Sequence, residues 1–443
     1  MNVLKFGGSS LKDYNSMYRS AAIAKERCRP GDVVVVSALG GVTDNLIAIG
    51  NAAYDRREYS PLLEQGRTQH YNLITAAGID PSVISDELQM LEKTLGKHDP
   101  NLKRWLDMIQ SFGERASSKI FAEFLRKIMG MDAEAFFAGD VGYYVSGEHG
   151  NADPIPKIAR DEMRKRFSGY NKIAVITGFV GIDLNGEVYT TGRGGSDLSA
   201  IQIANYLDAG VVELWSDVDG IKTANPKIVP NAITIDRMCF YEADQLAKHG
   251  AKLHPRSIEP AAQKNIPIYV FNTSNPNATK KGNFTLIDSQ ENQTASVVKG
   301  ITMHPKYNDI LVHIRVGRMS GGTGYLKLVG EMAESLDVGL LAGSETSIDF
   351  TVSEEEEEKL GGAESKLREI GEVRIEKGRK AIFAVGCGMR GAPGVSGRLF
   401  GALGKEEINI EAISQGNEIN IGFVVNAKDA ERAVNCIHDE FFG

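Results

Sequence analysis

The chain is poor in the residues that staple small folds. Its 443 residues hold only 4 cysteines, Cys28, Cys239, Cys387 and Cys436. They lie far apart and form no CxxC pair, so they read as reduced, mostly buried thiols. Histidine is scarce too, at 8 residues. His249 and His254 stand near each other, but no Cys/His cluster has metal-site spacing, and no metal ligand from the protein is expected. No apolar run approaches the ~20 residues that cross a bilayer. The opening Met1-Asn2-Val3-Leu4-Lys5 lacks the layout of a secretion signal, so a cytoplasmic protein without a membrane partner is expected. Long basic blocks are missing and the formal net charge is -8, which argues against nucleic acid as a partner. What remains is an ordinary globular mixture, 42% hydrophobic and 24% charged. At roughly 150 residues per domain, the length suggests about three domains.

Glycine is plentiful and placed where chemistry would use it. In Thr190-Thr191-Gly192-Arg193-Gly194-Gly195-Ser196-Asp197, glycines separate the strand-like Glu187-Val188-Tyr189 from the helix-like 198–204. Such a turn lets the backbone approach an anion, and the helix behind it offers the positive end of its dipole. Arg193 adds a fork for a carboxylate or phosphate. Asp197 supplies a charge that orients a cation or a lysine. The plain alternative is a glycine-rich loop with a surface ion pair.

The same punctuation recurs along the first 290 or so residues. The strand Val3-Leu4-Lys5-Phe6 runs into Gly7-Gly8-Ser9-Ser10 and a helix over about 12–29. The lysine precedes the glycines, so this is not a P-loop. Asp32-Val33-Val34-Val35-Val36-Ser37 reads as a central strand of a parallel sheet covered on both faces. Gly40-Gly41 follows it, with Thr43 placed to cap a helix over 45–53. Residues 60–130 read as helices, with Glu114 in the first turn of a new one. Strands are expected at 133–137, 172–179, 211–215 and 266–271, and a hairpin at Asp183-Leu184-Asn185-Gly186. Ser216-Asp217 and the lysines Lys222 and Lys227 follow the strand at 211–215 in a segment that suits a nucleotide. Strands alternating with helices predict a three-layer α/β/α domain with a mainly parallel sheet.

The last third repeats itself at an offset of about 70 residues. A strand at 310–316, a glycine turn at 319–324 and a strand at 348–352 are matched by 381–386, 389–394 and 419–423. Each unit reads βαββαβ, a ferredoxin-like order. Ser353 with Glu356 reads as a capping box, so the acidic run 354–358 is a helix start, not a metal site.

Taken together, Lys5-Phe6-Gly7-Gly8-Ser9-Ser10, Thr43, Glu114, the 192–197 turn, the 215–227 segment and Gly250-Ala251-Lys252 occur in the order found in aspartate kinases. The C-terminal pair is similar to that family's tandem ACT domains. The resemblance implies a catalytic domain over 1–292, a first ACT domain over 305–370, and a second built from 293–304 and 371–443. It implies phosphorylation of L-aspartate by ATP to 4-phospho-L-aspartate, at the head of lysine, threonine and methionine biosynthesis, with Mg²⁺ carried mainly by the nucleotide phosphates. Lys5, Asp197 and Lys252 are then the catalytic residues. Thr43, Glu114, Arg193, Gly194, Gly195 and Ser196 bind aspartate. Lys5, Gly7, Gly8, Ser9, Ser37, Ser216, Asp217, Lys222, Lys227 and Lys252 bind ATP. An effector amino acid, with lysine the first candidate, would meet Met319, Gly324, Tyr325, Leu326, Val338, Gly339, Ser344 and Glu345. Lys222 and Asn225 depart from the family's usual tyrosine and aspartate, and Gly339 stands where a lysine-sensitive member can carry aspartate. ACT pairing implies a homodimer or a dimer of dimers, and no fused homoserine dehydrogenase is expected. The rival readings are a kinase for another amino acid, such as glutamate, and a catalytically silent amino-acid sensor.

Overall fold

Four consecutive valines form a strand inside the first sheet. Val33–Val36 is buried at every residue, as is Val3–Phe6 beside it. In the computed structural model the described residues are 1–250, 253–291, 297–303, 308–315, 336, 338–344, 346–389, 391–415 and 418–443. They divide into two compact units, Met1–Ile221 with Leu253–Ser289, and Lys222–Lys252 with Gln290–Gly443.

In the first unit, Val3–Phe6 pairs in parallel with Val33–Val36 on one side and Val212–Ser216 on the other. Ile173–Thr177 and then Ala133–Phe136 extend the sheet beyond the valines, also in parallel. Ile268–Asn272 extends it in parallel past Val212–Ser216, and Thr285–Asp288 closes this side antiparallel. A run this apolar is stable only with both faces covered. Leu4, Phe6, Val34 and Val36 join one core with Met17 and Ala21 of the helix Tyr14–Arg27, and with Phe121 and Leu125 of the helix Leu102–Lys127. Strand alternation turns Lys5 to the opposite face, where the helix Gly195–Tyr206 lies.

Two expectations about this unit are corrected. Glu114 does not open a helix; it sits in the middle of the continuous 26-residue helix Leu102–Lys127. Gly113, inside that helix, is a point of contact. A Cβ there would stand 2.7 Å from Ala38 Cβ and 3.3 Å from Val42 Cγ1, so the helix can lie against the loop after the valine strand only without a side chain. Nor does Thr43 cap its helix. Gly41, at φ 85°, is the residue before the helix Val42–Tyr54, and no side chain caps it. The left-handed turn needs glycine, and Thr43 is left inside the first turn. The strands Val145–Glu148 and Asn151–Pro154 and the helix Pro156–Phe167 had no clear sequence signal. The hairpin falls where expected, between Val180–Ile182 and Val188–Thr190.

The second unit is organised by one long strand, Glu372–Val385. Its first half pairs antiparallel with Asp309–Arg315, which pairs with Ser347–Ser353 and through it Val338–Gly343. Its second half pairs with Asn420–Asn426 and Gly300–Met303. Two cores result, one around Ile310, Val312, Phe350 and Leu367 and one around Ile382, Leu399, Phe423 and Ile437. Ser353 does start a helix, its hydroxyl accepting from the Glu355 N–H ahead of Glu357–Ile370.

Replacing Gly113 with leucine should overpack the loop contact and cost about 1–3 kcal/mol of stability. Urea denaturation measures this, and an unchanged midpoint would refute the close-contact role.

Candidate active site

The parallel strands of the first unit deliver their C-terminal ends to one edge, the place where open α/β sheets bind ligands. A cavity of about 430 Å³ opens there. Lys5, at the end of the central strand, points into it and is only 8% exposed. Its Nζ lies 2.6 Å from Asp197 Oδ1. Asp197 stands in the first turn of the helix Gly195–Tyr206, reached through Gly194 at φ 76°. The turn is packed tightly: a Cβ on Gly195 would fall 2.0 Å from Thr191 Oγ1, and one on Gly8 would fall 2.9 Å from the Ala38 carbonyl. Two glycine loops thus let cation, helix end and backbone converge.

Opposite this group stands Glu114, which is fully buried. Its Oε1 accepts the Ala38 N–H at 3.0 Å, while Oε2 has no partner. Burial pushes its carboxyl up to about 8, against the smaller opposing effect of the Ala38 bond. A buried carboxyl in the cavity lining with one unpartnered oxygen suits a cationic ligand group, which would favour its ionised form. Arg193 at the rim is almost wholly exposed, its nearest acidic partner being Asp44 at 4.0 Å. Lys5, Gly8, Ser37, Thr43, Glu114, Arg193, Gly194, Gly195 and Ser196 all line the cavity.

Other expected residues lie elsewhere. Gly7 follows the Lys5 strand and donates its N–H to the Trp215 carbonyl, and Ser9 is exposed in the same turn. Ser216 ends the neighbouring strand and Asp217 follows it, and neither lines the cavity; the buried Ser216 hydroxyl has no hydrogen-bond partner. Lys222 and Lys227 belong to the second unit, where Lys222 Nζ donates to Thr234 Oγ1 at 2.8 Å. Of the effector-site expectations, Val338 and Gly339 lie on one strand and Ser344 in the turn after it, donating its N–H to the Ser347 carbonyl. Lys252, Met319, Gly324, Tyr325, Leu326 and Glu345 lie outside the described residues.

Several lining residues were missed. Gln110 sits one turn before Glu114 on the same helix, and Asp107 comes almost one turn earlier. Asp107 is buried and accepts from the Thr190 hydroxyl at 2.6 Å, from His149 Nδ1 at 2.8 Å and from the Gly150 N–H at 3.1 Å. It thereby fixes Thr190 and Gly150, both of which line the cavity. A polar stripe at 107, 110 and 114 on a buried helix was the available signal. Phe179 also lines the cavity, with φ 65°, an unfavourable conformation for a bulky residue. It is held there by its N–H donating to Ser199 Oγ and by the Thr191 N–H and hydroxyl, which both donate to its carbonyl.

Comparisons with known proteins bear on this geometry. The family model described as the amino acid kinase family matches residues 1–272, and an ACT domain model matches 382–441. Aspartokinase 1 of Arabidopsis thaliana, a chloroplastic protein, is 32% identical over 466 residues, spanning 99% of this chain and 80% of that protein. The chain belongs to the aspartate kinases. Lysine-sensitive aspartokinase 3 of Escherichia coli (strain K12) is 30% identical over 460 residues, with 99% of each chain covered. The crystal structure of E. coli aspartokinase III in complex with aspartate and ADP, in the R-state, matches with a TM-score of 0.85 at 27% identity over 100% of both chains. Aspartate kinase of Clostridium acetobutylicum matches with a TM-score of 0.80, also at 27% identity over 100% of both chains. The expected fold, an amino-acid kinase domain with ACT domains, is therefore the fold of this aspartate kinase. None of its described helices is long and apolar enough to cross a membrane.

Because Glu114 holds its proton when folded but loses it near pH 4.5 when unfolded, this contribution favours the fold at acid pH. It is lost as pH rises through about 8. Glu114→Gln should remove that slope, leaving the ligand-free variant more stable than the parent at pH 9 by on the order of 1–3 kcal/mol. Urea midpoints at pH 5 and 9 test it; parallel curves for the two proteins would contradict the assignment.

Proposed function

We propose that the cavity transfers the γ-phosphoryl group of ATP to the β-carboxylate of L-aspartate. A carboxylate oxygen attacks the γ-phosphorus, the bond to the β–γ bridging oxygen breaks, and ADP and 4-phospho-L-aspartate leave. The observation that carries this reading is the buried Lys5, paired with Asp197 at 2.6 Å, in the lining of the same cavity as the half-satisfied carboxyl of Glu114. The substrate carboxylate is already the nucleophile, so no general base is needed, and positioning with charge neutralisation does the work.

Lys5 neutralises charge on the transferred phosphoryl, and Asp197 keeps the ammonium aimed. Glu114 Oε2 accepts the α-ammonium of aspartate, which also lets Glu114 ionise. Arg193 swings from its exposed position onto the α-carboxylate. Thr43, Gly194, Gly195 and Ser196 complete the pocket, the last three at the positive end of the helix dipole. Gly7, Gly8, Ser9, Ser37, Ser216 and Asp217 border the nucleotide, with Lys222, Lys227 and Lys252 contributed from the segment that follows. Asp197 is paired with Lys5, Glu114 accepts the Ala38 N–H, and Asp44 on the cavity lining lies 4.0 Å from the exposed Arg193. That donor set fits a Mg²⁺ ion carried by the phosphates better than one chelated by the protein. When bound, the ion adds neutralising charge on the β- and γ-phosphate oxygens.

The domain limits that accompany this reading are 1–292 for catalysis, 305–370 for the first ACT domain, and 293–304 with 371–443 for the second. The enzyme acts in the cytoplasm as a homodimer or dimer of dimers, opening lysine, threonine and methionine biosynthesis. Lysine is the proposed effector, at the first ACT domain. The lysine-sensitive relative from E. coli supports that choice.

Hydroxylamine trapping of the acyl phosphate, with aspartate, glutamate and acetylglutamate compared, tests the reaction. No product from aspartate at saturating ATP would overturn it. Arg193→Ala should raise the KM for aspartate about 10- to 100-fold, a loss of ~1.4–3 kcal/mol, while the affinity for ATP holds. Equal loss for both substrates would remove Arg193 from its role. Lys5→Met should lower kcat by roughly 10²–10³. Calorimetric titration should show binding of lysine and not threonine; the reverse result would reassign the effector.

A further inference from the structure

In the second unit, one carboxylate draws two distant thiols together. Cys239 ends the short strand Arg237–Cys239 and precedes the helix Phe240–Lys248. Cys387 follows the long strand Glu372–Val385, 148 residues further along. Between them Glu242 is completely buried. Its Oε2 accepts the Cys239 N–H at 2.9 Å and its Oε1 accepts the Cys387 N–H at 2.7 Å. The two backbones are thus clamped to one side chain, and the Sγ atoms stand 3.0 Å apart.

That separation selects among the chemistries available to a Cys–Glu–Cys cluster. Two thiolates bound to one zinc at ~2.3 Å would hold their sulfurs about 3.8 Å apart. Both oxygens of Glu242 are moreover occupied by backbone N–H groups. A disulfide of ~2.05 Å needs the sulfurs to close by only about 1 Å. Cys239 is buried and Cys387 is half-buried, so a small oxidant reaches the pair from the Cys387 side.

We propose that Cys239 and Cys387 are a redox modification site that closes to a reversible disulfide. Hydrogen peroxide serves as oxidant. The Cys239 sulfur attacks one peroxide oxygen, the O–O bond breaks, and water leaves, giving a sulfenic acid. The Cys387 sulfur then attacks the Cys239 sulfur, the S–O bond breaks, and a second water leaves. Two thiols and one peroxide become one disulfide and two waters. The hydrogen bond with Cys387 holds the Cys239 thiol below its ordinary value against the effect of burial, which suits Cys239 as the first nucleophile.

The site stands apart from the phosphotransfer reading, and its test uses the full chain. After treatment with hydrogen peroxide and alkylation of the remaining thiols, peptide mass spectrometry should find Cys239 joined to Cys387, two hydrogens lighter. Dithiothreitol should restore both thiols, while Cys28 and Cys436 stay alkylated throughout. The oxidised protein should melt several degrees higher than the reduced one, and Cys387→Ser should abolish that shift. Three results would overturn the proposal: both thiols fully alkylated after oxidation, Cys387 taken alone to its sulfinic acid, or a stoichiometric zinc in the purified protein that shields the pair. The peptide measurement on the parent chain stands even if the variant fails to fold.

Discussion

A lysine held almost dry by one aspartate is the constraint on which the first unit turns. Lys5 is carried by the central strand and Asp197 by a helix on the far side of a glycine loop. Their contact fixes the distance between sheet edge and helix end. Burying either charge alone would be strongly unfavourable, whereas the pair can be buried together. The valine strand, the glycine turns at 7–8 and 40–41, and the strained Phe179 all serve that convergence. Against it stands Glu114, whose buried carboxyl has one oxygen without a partner, a cost the folded protein bears.

Much of this was legible from the chain, because the physics involved is local. A strand that ends in lysine and glycine, or four valines in a row, announces itself without any tertiary information. The order in which those strands pair was not legible, because it is set by contacts between segments far apart in the chain. What sequence could not convey was what glycine does when it is not a turn. A new helix was expected to open at Glu114, whereas Gly113 beside it lies inside one continuous helix, at the place where that helix touches a loop. Thr43 looked like a cap because hydroxyls usually are, whereas the left-handed Gly41 had already started the helix. Asp107 was passed over because its partners, Thr190, His149 and Gly150, come from sequence far away. The Cys239–Cys387 pair was hidden for the same reason, since separation along the chain says nothing about separation in a sheet.

The repeat in the last third was visible as matching strand patterns, but not how the two copies share material. Glu372–Val385 serves one module with its first half and the other with its second. Hydrogen bonds to Asp309–Arg315 and to Asn420–Asn426 therefore hang from a single piece of backbone.

The shared strand is not uniform along its length. Gly378 takes a left-handed φ of 65°, and the pairing with Asp309–Arg315 shifts register between Asp309 and Leu311, opposite Arg379 and Glu376. On either side of this bulge, pairing can slip only in whole-residue steps that turn every side chain to the other face. The bulge is therefore where the strand changes course between the partners of its first half and those of its second.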